Sequence, residues 1–315
     1  MRADPGLGGP MSAGRVAATV RAVALVHGCP GVAGARDLAA AGSLSAAQRL
    51  LGSGPYGRHV SIGMSLPDSE TGVFAAILWQ LRVLAGWQPP AGARLIRTLA
   101  GGFEVANIAA LAAATTGLPR PPGYDAGALT WAWPRLRDAT TLPELRAALS
   151  NSIWGDPGTD VLPDLVDAVT AVWAGRVAAQ VAAARPWAAG GLALLVARRR
   201  FAERRSLPEV VVRESDRLLG ERATAAADPS AYISALPATA RWALSDGTAE
   251  LWRDEFGWWG RVARDGRFML GAKRFDATVP VGAVAVLAAD AWRVRAALQV
   301  AAGAADEEAY DELVR

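Results

Sequence analysis

Apolar residues recur at helical spacing along almost the whole chain. Alanine and leucine dominate these stretches, and runs of β-branched residues are short, which favours helices over strands. The only strand-like piece, Val210 to Val212, is too short to build a sheet. The pattern therefore predicts an all-α protein with well over half of its residues in helices.

Capping and breaking residues indicate where several helices begin and end. Ser65 to Glu70 combines a serine, a proline and two acids ahead of the amphipathic stretch Val73 to Ala85, which is typical of a helix N-terminus. Pro89-Pro90 opens another helix, and the helix Phe103 to Thr116 ends at a glycine. We expect later helices at Leu162 to Ala184, Trp187 to Arg205, Ala231 to Ala243 and Val281 to Ala302. The breaker-rich segment Leu118 to Gly123 is the strongest boundary in the first half.

One short element occurs twice. The segment Ser43 to Gly57 aligns without gaps on Thr141 to Gly155, 98 residues later. In both copies a Ser or Thr stands where an N-cap belongs, a short helix follows, and an aromatic residue before a glycine closes it. These closing aromatics are Tyr56 and Trp154.

A second similarity pairs Glu104 to Gly117 with Asp290 to Gly303, 186 residues later, which is close to twice the first offset. Counting half of this second offset onward from Glu104 gives Ala197, which lies in another amphipathic stretch. The offsets predict three diverged helical repeats, stacked or arranged about a pseudo-threefold axis. The alternative is that Ala/Leu/Arg helices resemble one another by composition. The expected organisation is a flexible tail at 1–14 and repeat units at 15–117, 118–220 and 221–315.

Composition places the chain among globular proteins. It has 315 residues, 52% of them hydrophobic, and its net charge of +3 is too small to imply nucleic-acid binding by electrostatics. The longest uncharged apolar run, Pro186 to Ala197, falls short of the roughly 20 residues of a membrane helix. We therefore expect no membrane span and a cytosolic or peripheral location.

Residues for several kinds of chemistry are scarce. Cys29 is the only cysteine, so no intramolecular disulfide can form, and His27 and His59 are the only histidines. They cannot build a Cys/His zinc site, and neither histidine has a visible catalytic partner. We expect both histidines to be structural.

The surrounding residues do not support either of two nucleotide-binding motifs. Gly52 to Gly57 fits G-x-G-x-x-G, but it follows a helix and Pro55 stands where the next helix would open, so a structural turn is predicted. The only lysine, Lys273, lies between Ala272 and Arg274, which excludes a P-loop.

Two further segments could take part in binding. The cluster Arg198 to Arg205 is predicted to be a solvated helix face, with an acidic partner surface as the alternative. In Glu250 to Trp259, the aromatics Trp252, Phe256 and Trp259 share one helical stripe, which predicts core packing or a helix–helix contact. The successive acids there, Asp254 and Glu255, point apart and make a poor acid/base pair. Trp258 lies off the stripe and is the better interface candidate.

Three elements together carry a family resemblance. They are SLSAAQRLLGSGPYG (Ser43 to Gly57), EVANI (Glu104 to Ile108) and its late echo DAWRV (Asp290 to Val294). The sequence resembles the C/d-type subunit family of V-type and A/V-type rotary ATPases, diffusely from Arg15 to Leu313.

The resemblance implies a funnel-shaped, all-helical, non-catalytic coupling protein for ion transport. It would sit on the cytoplasmic face of the membrane, on the ring of proteolipid subunits, and receive the tip of the central stalk. Its membrane contact would be made only through protein subunits. The family offers no catalytic, cofactor or metal residues to carry over, and its binding surfaces are too broad to transfer by position.

Two other function classes remain open from the sequence. One is an α-helical scaffold or regulator unrelated to rotary motors. The other is an enzyme that uses carboxylates and arginines, since histidine and cysteine are scarce.

Overall fold

The computed structural model describes residues 13–245, 250–271, 276–305 and 310. The protein is all-α, with 72% helix and no strand among the described residues, which confirms the predicted fold class. Most of the predicted tail at 1–14, and Lys273, lie outside this part of the chain. The α-helices in chain order are α1 (Ala13–His27), α2 (Gly31–Ala39), α3 (Leu44–Gly52), α4 (Leu66–Gly86), α5 (Pro90–Ala114), α6 (Trp133–Leu136), α7 (Leu142–Ser150), α8 (Leu162–Gln180), α9 (Arg185–Ala197), α10 (Glu209–Leu219), α11 (Glu221–Thr224), α12 (Pro229–Ala235), α13 (Ala238–Arg241), α14 (Leu251–Gly271) and α15 (Thr278–Ala301).

The predicted N-caps are present. The Ser65 side chain accepts a hydrogen bond from the backbone N–H of Asp68 and starts α4. Ser43 and Thr141 cap α3 and α7 in the same way, three residues ahead of the donor N–H. Each cap satisfies a backbone donor that the first helical turn leaves without a partner.

Three expectations about local structure are wrong. Val210 to Val212 is not a strand but lies within α10, because two of these valines are buried against the neighbouring helices. The helix expected at Ala231 to Ala243 is divided into α12 and α13, since Pro237 has no backbone N–H to continue it. The helix expected up to Arg205 leaves α-geometry after Ala197 and continues as a π-helix, Arg198–Ala202.

Six of the described helices form three pairs, α4/α5, α8/α9 and α14/α15, and the members of each pair pack against each other. We call these the long pairs: five of the helices have 19 to 25 residues, and α9 continues as the π-helix to Ala202. The second helix of one pair also packs against the first helix of another: α5 against α8, α9 against α14, and α15 against α4. Followed in order, these contacts lead from α4 through the other five helices and back to α4. The three pairs thus pack cyclically.

The short helices form three small groups, which we name the first (α1–α3), second (α6–α7) and third (α10–α13) group. Each group belongs to a separate hydrophobic core. The first group packs with α15 and α4 and the second with α5 and α8, whereas the third packs mainly against α8 and α9. The first and second groups therefore lie where two long pairs meet, and the third lies mainly on the α8/α9 pair.

Among the described residues, two stretches are long and apolar enough to cross a membrane by length and composition. In Pro90–Ala114, which is α5, 56% of the most apolar window is buried, as in a core helix. In Gly14–Ala39 only 11% of that window is buried, and its mean hydropathy is 1.4. The second stretch is not one straight helix, since α1 ends at His27 and α2 begins at Gly31.

Candidate partner-binding cleft

A cleft opens between α8, α9 and α14. It consists of two adjoining cavities of about 470 and about 180 Å³. Both cavities are lined by Thr170, Gly191, Leu195 and Trp258. Leu99 of α5 also lines the smaller cavity, so helices from all three long pairs contribute to the walls. We call this feature the aromatic cleft.

Three tryptophans, Trp173, Trp187 and Trp258, line the smaller cavity. Each indole N–H has a protein acceptor: the carbonyl of Thr98 for Trp173, Asp265 Oδ2 for Trp187, and the carbonyl of Trp187 for Trp258, all at 2.9 Å. Because the polar edges are satisfied, these indoles are held in place and offer apolar surface to the cavity. The predicted interface residue Trp258 thus lies at the centre of the cleft.

Further aromatic rings lie beside the larger cavity. Phe256 contacts Trp252 and Trp292 edge to face, with ring centroids 5.3 and 5.2 Å apart, and Trp259 stacks on Trp292 at 5.6 Å. The predicted stripe therefore makes a helix–helix contact between α14 and α15. It is not fully buried, since Trp252 is 40% exposed and lines the cleft together with Trp259.

The charged rim of the cleft contains Asp167, Arg198 and Glu255. Arg198 Nη2 lies 3.1 Å from Asp167 Oδ1, and 54% of the arginine side chain stays exposed. Glu255 is exposed on α14. Both signs of charge are therefore present around an apolar interior, as in many protein interfaces.

The expectation of a solvated arginine face is wrong for Arg199. Its side chain is 2% exposed and bridges Asp164 (2.5 Å) and Asp167 (2.6 Å), while Nε donates to the carbonyl of Ser206. The guanidinium ties the start of α8 to the π-helix because its planar fork reaches all three acceptors. This pairing fixes the position of one cleft wall.

Space along α9 differs between two adjacent glycines. A Cβ on Gly190 would lie 2.9 Å from Ala243 Cβ, so a side chain there would displace the third small group. A Cβ on Gly191 would lie 3.6 Å from the Trp258 ring, an ordinary van der Waals distance. Gly191 can therefore accept a side chain, which would enter the cleft.

Two buried acids stand at the heads of similar sequence segments. Each of them lies on a long helix and joins that helix to a small group. Asp290 on α15 accepts hydrogen bonds from Tyr56 Oη (2.6 Å) and the N–H of Gly31 (2.8 Å). Burial raises the pKa of Asp290 above its usual value of 3.8, although both of these bonds act in the opposite direction. Burial, together with the adjacent carboxylate, also raises the pKa of Tyr56.

Glu104 on α5 has the corresponding contacts with the second group. It accepts from Trp154 Nε1 (2.8 Å) and from the N–H groups of Trp131 and Ala132 (2.8 and 2.7 Å). The closing aromatics of the repeated element, Tyr56 and Trp154, therefore each donate to the acid of the other repeated segment. The sequence showed both similarities but not this contact, because nothing local in a sequence reports which distant segments meet.

The remaining candidates have structural surroundings. Gly52 to Gly57 is a turn after α3, and a Cβ on Gly57 would lie 2.2 Å from the Gly52 carbonyl oxygen. His27 is exposed at the end of α1, while burial and then the charge of Arg58 lower the pKa of His59. Burial, followed by the charge of Asp290, raises the pKa of the Cys29 thiol far above its usual range. Within the described part of the chain, no group of three or more His, Cys, Asp or Glu side chains could hold a metal ion.

No protein-family model matches the chain, and no curated protein matches it.

The sequence indicated only one of the residues that line the cleft. Trp258 stood out because it lies off an aromatic stripe, whereas Leu99, Trp173 and Trp187 occupy ordinary apolar helix positions. The cleft offers shape, apolar surface and a mixed charged rim, which are features suited to holding another polypeptide.

Proposed function

We propose that the protein is a non-catalytic coupling subunit of a V/A-type rotary ATPase, which links the central stalk to the membrane proteolipid ring. The observation that carries the proposal is the cyclic packing of the three long pairs, with the small groups packed around them. A part that transmits torque needs rigid packed helices and wide contact surfaces rather than reaction chemistry. It would lie on the cytoplasmic face of the membrane, where it would transmit motion for proton or sodium transport.

Three repeats about a pseudo-threefold axis account for this packing. In each repeat, a small group would be followed by a long pair, close to the units 15–117, 118–220 and 221–315. The bonds from Tyr56 to Asp290 and from Trp154 to Glu104 are then equivalent contacts in two of the three copies. In the third, Tyr232 of the third group donates to the backbone carbonyl of Ala193 on α9 (3.0 Å), so an aromatic hydroxyl bonds a long helix without a buried acid.

In this proposal the aromatic cleft is the seat of the stalk tip. All three pairs contribute to its walls, as expected for the interior of a funnel-like arrangement. Its apolar lining would contact the apolar side chains of the stalk, and the rim charges of Arg198 and Glu255 would orient it.

Affinity purification of the tagged full chain from its native cell tests the assignment. We expect stalk and proteolipid subunits of a rotary ATPase to co-purify, and the purified chain alone to lack ATPase activity. Repeated absence of these subunits, with other proteins recovered, would favour the helical scaffold instead. ATP hydrolysis by the purified chain would contradict a non-catalytic role.

A further inference from the structure

The larger apolar side chains of α1 lie on its outer side rather than in the core. It buries small residues, Ala18 (2% exposed) and Ala22 (0%), against the rest of the protein. Val20 on its other side is 62% exposed, and Val16 and Val23, four residues before and three after it, are only partly buried. A helix that faces water normally turns polar residues outward. The outer face of α1, defined by Val16, Val20, Val23 and Ala24, is apolar instead, up to the exposed His27 at the end of the helix.

The charged residues near this face in the sequence are basic. From residue 5 to 36 the chain has no Asp or Glu, whereas Arg15, Arg21 and Arg36 are all basic. Arg15 is exposed at the start of α1. An apolar helix face with mainly basic side chains beside it complements a surface that is apolar inside and anionic outside.

An exposed tryptophan lies beside the same end of α1. Arg15 and Thr19 line a shallow recess together with Gln88 and with Asp276, the one acid among the described residues that line it. Trp87, next to Gln88 in the chain, is 52% exposed. Tryptophan in particular is favoured at membrane–water interfaces.

We propose that the outer face of α1 binds directly to the surface of an anionic lipid bilayer, lying along it. The face belongs to a single helix, and Val16, Val20, Val23 and Ala24 line none of the cavities described above, whereas protein partners usually anchor a side chain in a pocket. At about 1.5 Å per residue, α1 is about 22 Å long, so it covers several headgroups when it lies flat. This goes beyond the proposed function, in which membrane contact is made by protein subunits alone, and it does not depend on that function.

Vesicle flotation of the purified full chain tests this inference. We expect binding to vesicles of equimolar phosphatidylcholine and phosphatidylglycerol, weaker binding as salt rises, and little binding to phosphatidylcholine alone. Val20→Glu should lower the partition coefficient at least about tenfold, because it places a carboxylate in the contact. Arg15→Gln should lower it about fivefold.

Val161→Glu is the matched control, since Val161 is also an exposed valine (53%) but precedes α8. It should bind vesicles like the wild type. Absence of wild-type binding to the anionic vesicles, or equal binding by Val20→Glu and Val161→Glu, would overturn the inference. If the wild type ignores vesicles but self-associates until Val20→Glu is introduced, the face binds protein and the lipid assignment is wrong.

Discussion

Tyr56 donates a 2.6 Å hydrogen bond to Asp290, a residue 234 positions later in the chain. Both side chains are almost fully buried. The bond joins the first small group to α15, so the beginning of the described chain is fastened to its last long helix. A buried carboxylate needs such donors because desolvation without them is costly.

Tyr56→Phe should destabilise the protein by about 2–3 kcal/mol, since it removes a hydrogen bond to a buried charged group. Tyr232→Phe is the matched control: Tyr232 is equally buried, but its hydroxyl donates to a neutral backbone carbonyl, so its loss should cost about 1 kcal/mol. Urea unfolding of the two variants measures the difference. Equal losses of unfolding free energy in the two variants would show that the hydrogen bond from Tyr56 to Asp290 is no stronger than one to a neutral acceptor.

Asp290→Asn should change how stability depends on pH. Because burial raises the native pKa of Asp290 above 3.8, the unfolded chain loses this proton first as pH rises. The contribution of Asp290 to the free energy of unfolding therefore falls between pH 3.8 and the native pKa, and is constant above it. Asn cannot titrate, so the stability of the variant relative to wild type should rise through this window. Urea unfolding at a series of pH values checks this, and parallel curves would contradict it.

Gly57→Ala should be strongly destabilising, because its Cβ would lie 2.2 Å from the carbonyl oxygen of Gly52 and the turn would have to open. Gly52→Ala provides the comparison. Gly52 ends α3 and has nothing within 4 Å of its Cβ position, so this variant should be neutral or up to about 1 kcal/mol more stable. Thermal unfolding of both variants is the measurement. A Gly57→Ala protein as stable as wild type would show that the turn is not confined in this way.

Arg199→Met should cost about 3–5 kcal/mol, because it leaves two carboxylates near a buried site without their shared cation. Arg198→Met, at an arginine that is 54% exposed, should cost less than about 1 kcal/mol. Denaturant unfolding distinguishes the two neighbours. Similar losses would mean that the buried bridge is no stronger than the exposed one.

Local signals in the sequence predicted the helices well. The caps at Ser43, Ser65 and Thr141 are predictable because a capping side chain and the N–H it accepts from lie within one turn. Burial of Arg199 is not predictable in this way, since its partners Asp164 and Asp167 lie more than 30 residues before it. At Pro237 the apolar periodicity continues across a residue that cannot donate to the helix, and the proline decides the outcome.

The cleft was harder to predict than the helices. Leu99, Trp187 and Trp258 meet only through the packing of three separate long pairs. Leu99 and Trp187 alone have the pattern of ordinary core residues, and only Trp258 stands out by lying off its aromatic stripe. The similar segments could be recognised because each similarity is local in the sequence, whereas a cavity between helices far apart in the chain leaves no periodic trace.

The proposed coupling role requires that the stalk tip occupies the aromatic cleft, and two glycine variants test this proposal. Gly191→Arg would place a long charged side chain in the cleft. Gly257→Arg is its control, because Gly257 precedes Trp258 on α14, has nothing within 4 Å of its Cβ position and does not line the cleft.

The most direct measurement is the ratio of ion translocation to ATP hydrolysis in membrane vesicles from a deletion strain that carries wild type, Gly191→Arg or Gly257→Arg. We predict that wild type and Gly257→Arg restore ion movement, whereas Gly191→Arg leaves ATP hydrolysis disconnected from it. An unchanged ratio in the deletion strain itself, or full coupling with Gly191→Arg, would contradict the proposed function.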